Sequence, residues 1–389
     1  MSEKELIYFD NAATTRTDPE VVKAMEPYFA EKYGNAASQY YELGRQARAA
    51  LDDAHAKVAE LIGAQEDEIF LTCGATESDN WAIQSTILGG KKKHVISSGI
   101  EHHAILETLE YFKKIGLCDF TLLPVDKYGQ VNPEDLKKTI QPDTGLVTIM
   151  HANNEIGSMQ PIKELAAVAH EAGVPFHTDA CQSVGKIGID VADLGVDMLS
   201  LSAHKFHGPK GIGALYVRKG TRIVPFMHGG GQENRRRAGT SNVSGAVGMA
   251  KAVELAASKY IPDGPRQFEM VEKIWQGLDA GIPKIHRNGN PKDRIPNMLS
   301  ICVEGAEGEA ILGYLDMFGI QVSSGSACTS GSLEPSHVLL ACGVPVELAH
   351  GSIRISLSHE NTEEHVTTII DAMPKAVARL REMSVTWKG

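Results

Sequence analysis

The sequence predicts an α/β fold: a large unit on a mainly parallel seven-stranded sheet, followed by a smaller α+β unit. Three observations carry this expectation. Short apolar runs alternate with amphipathic stretches between residues 45 and 217, the pattern of parallel strands joined by crossover helices. The stretch Ile261-Pro262-Asp263-Gly264-Pro265 then interrupts that pattern with helix- and strand-breaking residues. A chain of 389 residues, 42% of them apolar, is also long enough to bury two cores.

The elements follow in order. Residues 45–62 have the period of an amphipathic helix. Strands are expected at 68–72, 94–98, 120–125, 146–151, 174–178, 197–202 and 212–217, where apolar and β-branched residues cluster. Helices are expected between most of them, at 77–88, 101–115, 132–140 and 161–172. A long helix covers 241–259. Beyond the break, helices near 266–280, 307–318 and 363–383 mix with strands near 298–303 and 352–357. No internal repeat, low-complexity tract or coiled-coil pattern is present.

Composition narrows the function. A net charge of −11 argues against a general nucleic-acid binder. The six cysteines, at 73, 118, 181, 302, 328 and 342, form no C-x-x-C pair, so no structural metal site is expected. Few cysteines in a long chain suit free thiols in a reducing compartment. The start of the chain carries no targeting pattern, and no run reaches the ~18 apolar residues of a membrane span. The expected location is the cytoplasm, with no membrane contact.

In open parallel sheets, ligands gather at the carboxyl ends of strands. Thr72-Cys73-Gly74-Ala75-Thr76, Asn153, Asp179 and Lys205 all fall at such ends, as a single pocket requires. Ser202-Ala203-His204-Lys205 closes the run Asp197-Met198-Leu199-Ser200-Leu201 and precedes a Gly-rich stretch. A lysine there presents its amine to an aldehyde, as in a Schiff base with pyridoxal phosphate. A lone lysine in a turn is more often plain surface. Twenty-six residues upstream, however, Phe176-His177-Thr178-Asp179-Ala180-Cys181-Gln182 delivers an aspartate to another strand end. Pyridoxal chemistry needs such a carboxylate against the pyridine nitrogen, because a protonated ring withdraws electrons better. Gly74-Ala75-Thr76, between a strand and a helix, offers backbone N–H groups to a phosphate. Its plain alternative is a capping box of Thr76 with Asp79. Arg354, on the alternation Ile353-Arg354-Ile355-Ser356, is a planar cation suited to a substrate carboxylate. Its plain alternative is a structural salt bridge.

With these residues the chain resembles the pyridoxal-phosphate enzymes of aminotransferase class V, within fold type I. More narrowly, it resembles cysteine desulfurases of the nitrogen-fixation and iron–sulfur cluster type. The resemblance runs from Tyr8-Phe9-Asp10-Asn11-Ala12-Ala13-Thr14-Thr15 to Gly351-Ser352-Ile353-Arg354-Ile355-Ser356. Its most discriminating stretch is Ser323-Ser324-Gly325-Ser326-Ala327-Cys328-Thr329-Ser330-Gly331-Ser332-Leu333-Glu334-Pro335-Ser336, similar to the loop that carries the family's sulfur-accepting cysteine.

The resemblance implies a large cofactor-binding domain over 15–260. A small domain would be built from 1–14 and 261–389 and carry the Cys328 loop. It implies that Ala75, Thr76, Ser202 and His204 reach the cofactor phosphate. His102 would stack on the pyridine face and move protons, with His103 left structural or exposed. Gln182 would donate to the ring oxygen, and Asn153 would lie near that oxygen and the substrate carboxylate held by Arg354. The loop Gly229–Thr240 resembles one that enters a neighbouring subunit, so that Thr240 would bind the partner's phosphate in a homodimer with shared sites. The implied reaction takes L-cysteine to L-alanine and leaves a persulfide on Cys328. An iron–sulfur scaffold protein, or a thiolation enzyme, would then accept the sulfur; Cys328 could transiently ligate a cluster on such a partner. An aminotransferase or selenocysteine lyase would share Lys205, Asp179 and Arg354, and an acidic scaffold retaining an inactive fold is the non-enzyme alternative. Cys328, in a stretch of small polar residues, favours the desulfurase.

Overall fold

The computed structural model describes residues 6–324, 334–384 and 387. Twelve strands are found among them: β1 (Ile7–Tyr8), β2 (Ile69–Thr72), β3 (His94–Ser98), β4 (Asp119–Leu123), β5 (Thr144–Thr148), β6 (Phe176–Asp179), β7 (Met198–Ser202), β8 (Gly213–Val217), β9 (Ile285–Asn288), β10 (Met298–Val303), β11 (Ile320–Gln321) and β12 (Ser352–Ser356). Seven of them form the large sheet, in the order β2-β8-β7-β6-β5-β3-β4. The neighbours from β7 through β4 are parallel. β8 alone is reversed, pairing antiparallel with both β2 and β7.

Strands β2, β3, β6, β7 and β8 are buried along their whole length. Covered on both faces, such strands read as continuous apolar runs rather than alternating ones. Helices Glu42–Ile62 and Val243–Leu255 pack over one face with Leu51, Val58, Phe176 and Leu201. Trp81, Ile83, Ile105 and Leu109 fill the other. From β3 the chain steps outward to β4, then returns to β5 on the opposite side of β3 and continues through β6 to β7. Such a switch point opens a crevice beyond the strand ends.

A second core joins Ile274, Leu299, Ile301, Ile353 and Ile369 to Ile7 and Phe9 from the start of the chain. It lies on the antiparallel sheet β12-β10-β9, with β1 paired parallel to β11 nearby. The expected helices and strands are present with ends shifted by a few residues. Strands β1 and β11, of two residues each, and β9, of four, are the unexpected ones, being too short to display a period. The helix expected over 241–259 is α-helical from Val243 to Leu255 and ends in a π-turn, Ala256–Tyr260. That turn sets the Tyr260 hydroxyl 2.9 Å from the Asp18 carboxylate, to which it donates.

Ile301 is fully buried at the centre of the second core. Ile301→Ala should therefore cost about 2–5 kcal/mol, read as a lowered urea midpoint with an unchanged slope.

Candidate active site

The strand ends on both sides of the switch point face a cavity of about 630 Å³. Ala75 and Thr76 line it from the start of helix Ala75–Gly89. Its N-cap, Gly74, has φ +154 and ψ 178, a conformation open essentially to glycine alone. No side chain caps this end, so its first N–H groups remain for an anion. The Thr76–Asp79 capping box is therefore not formed. Close packing shapes the cradle from behind. A Cβ on Gly213 would lie 2.4 Å from the Leu201 carbonyl oxygen and 2.8 Å from the Gly74 Cα. Glu77, the acidic residue of this first turn, is taken by the Arg237 guanidinium in two hydrogen bonds of 2.7 and 2.9 Å.

Lys205 sits on the turn that follows β7, with Ser202 and His204 beside it on the cavity wall. Its amine donates to the carbonyls of Ala12 and Ala13 at 2.8 and 2.9 Å. His204 Nδ1 lies 3.1 Å from the Thr14 hydroxyl, and burial, then Lys205, hold the imidazole down at about 4. Asp179 ends β6 and accepts from the Cys181 N–H at 2.9 Å. Gln182 donates from Nε2 to the Ala12 carbonyl at 2.9 Å and accepts from the Lys186 amine at 2.6 Å.

His102 is the N-cap of helix His103–Lys114 and lines the cavity. Its Nδ1 accepts from the Ala104 N–H at 3.1 Å. A neutral ring with Nδ1 so engaged carries its proton on Nε2. Burial pushes the pKa of this imidazole below its usual value, which favours that neutral form. His103 turns away, stacking on His337 with ring centroids 4.8 Å apart.

Arg354 is 2% exposed at the centre of β12. Its guanidinium donates to the Asn154 carbonyl and to Asp10 Oδ1, each at 2.8 Å, and to the Ser323 hydroxyl at 3.2 Å. Its Nε–H is buried and unpartnered, and the residue lines the cavity. The salt bridge to Asp10 thus coexists with a guanidinium that forms part of the cavity wall.

Asn153 does not line this cavity. Its Nδ2 donates to the Ile100 carbonyl at 2.9 Å and reaches Met150 Sδ at 3.4 Å; its Oδ1 accepts from the Glu155 and Ile156 N–H groups. Every polar position is spent on holding the turn after β5, and the residue that lines the cavity is Asn154. Two adjacent asparagines carry no difference in kind, so nothing in the residue type separates them. Thr240 is solvent-exposed and outside the cavity. It follows a loop in which Glu233, Asn234 and Arg235 take φ of +45, +53 and +63. The Glu233 carboxylate anchors that loop, accepting from the Leu71 N–H at 2.9 Å and contacting His55 Nε2 at 3.0 Å. Cys328 lies outside the described residues.

Sequence reasoning missed the buried acids behind Asp179. Asp79 lines the cavity, is 1% exposed, and neither carboxylate oxygen has a hydrogen-bond partner. Burial, then the nearby Asp179, raise its pKa well above the usual carboxylate range, which favours its neutral form. Glu101 accepts from the Ser98 hydroxyl at 2.5 Å and from the Met150 N–H at 3.0 Å; burial raises its pKa to about 8. The available signal was position: Glu101 follows the end of β3, and Asp79 lies early in the helix that follows β2.

Two thiols also belong to the site. Cys73 and Cys181 line the cavity. Burial, then Glu77, push Cys73 up to about 11; burial, then Asp179, push Cys181 well above its usual value. Burial also raises Cys118, takes Cys302 to about 11 and Cys342 to about 12. All five described cysteines are thus held as thiols at neutral pH.

An amine, a carboxylate at a strand end, an uncapped helix start and a guanidinium on the cavity wall fit the aldehyde, ring nitrogen and phosphate of pyridoxal phosphate, and the carboxylate of an amino acid. Comparison with known proteins agrees. The model of the aminotransferase class V family matches residues 7–369. A cysteine desulfurase IscS of Methanosarcina thermophila is 49% identical over 98% of this chain and 95% of its own length. A cysteine desulfurase of Gluconacetobacter diazotrophicus is 46% identical over 98% of this chain and 96% of its own. Among solved structures, a NifS-like protein superposes with a TM-score of 0.90 at 38% identity, covering 96% of this chain and 100% of that one. The protein SspA in complex with cysteine gives 0.79 at 36% identity, covering 90% of this chain and 98% of that one.

Glu101 predicts a pH effect on stability. Its folded pKa, about 8, is raised above the ordinary carboxylate value of 4.5. Its contribution is therefore fully present below about pH 4.5 and is lost as pH rises toward 8. Glu101→Gln, which cannot ionise, should lose less stability than wild type between pH 5 and 8 in urea titrations. Parallel curves would refute the assignment.

Proposed function

The chain belongs to the aminotransferase class V family, and from that premise we propose that it is a cysteine desulfurase that uses pyridoxal phosphate. The meeting of Lys205, Asp179 and Arg354 at one cavity beside an uncapped helix start supports the cofactor; the 49% and 46% identity to cysteine desulfurases over 98% of the chain carries the desulfurase reading. In the proposed reaction the C–S bond of L-cysteine breaks and a new S–S bond forms on the Cys328 thiolate. The carbon that loses sulfur gains hydrogen, giving L-alanine. The thiol sulfur is oxidised as that carbon is reduced, so no outside oxidant enters.

When bound, the cofactor supplies the electron sink that makes the Cα proton removable and the C–S bond labile. Lys205 holds the aldehyde carbon, and its amine then moves the α-proton. Asp179, backed by neutral Asp79, holds the proton on the ring nitrogen. The first N–H groups of helix Ala75–Gly89, with Thr76, Ser202 and His204, bind the phosphate. Gln182 donates to the ring oxygen. His102 would lie on the ring side of the cavity and would donate from Nε2, since its Nδ1 is spent on Ala104. Arg354 orients the substrate carboxylate, and Asn154 takes the place expected of Asn153.

Cys328 is proposed as the nucleophile because the other five thiols have raised pKa values, Cys118, Cys181, Cys302 and Cys342 chiefly through burial and the exposed Cys73 through partial desolvation and Glu77. We also propose the two-domain division, 15–260 against 1–14 and 261–389; the separate second core that Ile7 and Phe9 enter supports it. The solvent exposure of Thr240 supports a homodimer in which this residue serves the partner's phosphate. An iron–sulfur scaffold protein or another sulfur acceptor would take the persulfide sulfur, in the cytoplasm. No described helix is long and apolar enough to cross a membrane.

Borohydride reduction of the cofactor-loaded protein, followed by peptide mapping, should leave the pyridoxyl group on Lys205. A label on Lys210 would overturn the site. Cys328→Ser should lower alanine and sulfide formation by about a hundredfold or more while the visible band still responds to L-cysteine. Brief exposure of wild type to L-cysteine should add about 32 Da to the Cys328 peptide. A persulfide on Cys181, or full turnover in Cys328→Ser, would sink the nucleophile assignment.

A further inference from the structure

Helix Ala75–Gly89 offers its first N–H groups to an anion, yet its first turn carries an anion of its own. Glu77 lies on the cavity wall and is 8% exposed. Its carboxylate bends back over the turn, where Oε2 accepts from the Cys73 N–H at 2.9 Å. A carboxylate so placed is favoured by the positive end of the helix. It also sets a negative charge beside any phosphate drawn to the same N–H groups. In a poorly solvated cavity that repulsion reaches further than it would in water.

Arg237 offsets that charge from outside the helix. Its Nε donates to Glu77 Oε1 at 2.7 Å and its Nη2 to Oε2 at 2.9 Å, a two-pronged pairing that the planar guanidinium forms and a lysine amine does not. Lys210 also lines the cavity, but it is the guanidinium that Glu77 binds. The arginine is itself placed by backbone: it bridges to Met227, and the next N–H, of Ala238, donates to the Met227 carbonyl at 3.2 Å. Burial works against a charged Glu77, but the hydrogen bonds from Arg237 and Cys73 bring its pKa below the usual carboxylate range. We infer that Arg237 is a positioning residue for the cofactor phosphate: it neutralises and fixes Glu77, so that the uncapped start of helix Ala75–Gly89 attracts a phosphate instead of opposing it with a free carboxylate. This rests on the cofactor reading of the same cavity.

Two consequences separate this role from plain packing of the loop. The charge balance is local. Removing the guanidinium alone strands a buried carboxylate at the phosphate cradle, whereas removing both charges strands nothing. The effect also falls on one part of the cofactor. The aldehyde and the ring nitrogen are met by Lys205 and Asp179 at other strand ends of the cavity, so a change confined to Glu77 and Arg237 should be felt by the phosphate.

The test reads binding rather than turnover. Pyridoxal phosphate and pyridoxal, which has the same ring and aldehyde without the phosphate, are each titrated into cofactor-free protein and followed by the visible band. Arg237→Met should weaken binding of the phosphate form by about tenfold and leave pyridoxal nearly unchanged. Adding Glu77→Gln removes the stranded carboxylate and should restore most of the lost preference for the phosphate form. Glu77→Gln alone should keep at least the wild-type preference. An unchanged preference in Arg237→Met overturns the inference, and equal losses for the two ligands do the same by marking a packing role. A double variant no better than Arg237→Met also overturns it. If Arg237→Met does not fold, Glu77→Gln decides alone, and a lowered preference rejects the role. Failure of the cofactor reading looks different: the wild-type protein would itself show no preference for the phosphate form.

Discussion

The site depends on the path of residues 9–15 between the two cores. This segment is stitched to β12 on one side: Phe9 accepts from the Ser356 N–H at 2.7 Å, and the Ala12 N–H donates to the Ser356 hydroxyl at 2.8 Å. On the other side it is stitched to the lysine turn, where the Thr15 N–H donates to the His204 carbonyl at 2.9 Å and the Thr15 hydroxyl accepts from the His207 N–H at 2.7 Å. Between these seams, Ala12 and Ala13 offer their carbonyls to Lys205. Arg354 and Lys205 come from different cores, and this short passage sets their relative placement. Asp10, in the same segment, also holds the guanidinium. A shift in residues 9–15 would thus move the Lys205 amine and the Arg354 guanidinium together.

Electrostatics at the site is mainly a matter of which groups are kept neutral. Burial favours the protonated forms of Asp79 and Glu101 and the unprotonated forms of His102, His177 and His204 near pH 7. It also lowers Lys186, leaving the Arg354 ion pair with Asp10 as the committed charge pair of the site. In a poorly solvated cavity each of these charges acts over a longer reach than it would in water. The same burial suppresses the thiols on the cavity wall, which keeps them from competing for sulfur.

Much of this was legible in the sequence, for a definable reason. Lys205, Asp179, Thr76 and Gly74 lie at the ends of strands whose apolar runs are unmistakable, and an open parallel sheet converges its carboxyl ends. Arg354 was legible because a lone cation on an alternating strand must face inward or outward. What escaped was whatever depends on side-chain direction in irregular backbone. Asn153 and Asn154 are chemically identical, and only the turn geometry decides which is consumed by the backbone. The reversal of β8 escaped because a buried strand has the same composition in either direction. Lys186 escaped because its partner, Gln182, lies on the same turn of chain and gives no periodic signal. The role proposed for Thr240 would depend on a second copy of the chain, which a single sequence does not display.

The anchoring of Glu233 has a consequence beyond the cavity. Strand β2 is the outer strand of the seven-stranded sheet, and its Leu71 N–H would otherwise point outward as a template for another strand. The Glu233 carboxylate fills that position, and the backbone there tolerates three successive left-handed residues to deliver it, at a cost on the order of 1–3 kcal/mol each. A carboxylate with no N–H to offer cannot extend a ladder, so the sheet ends there chemically as well as geometrically. The loop that carries Thr240 outward is, by this fastening, also what guards the open border of the fold against self-association through its backbone.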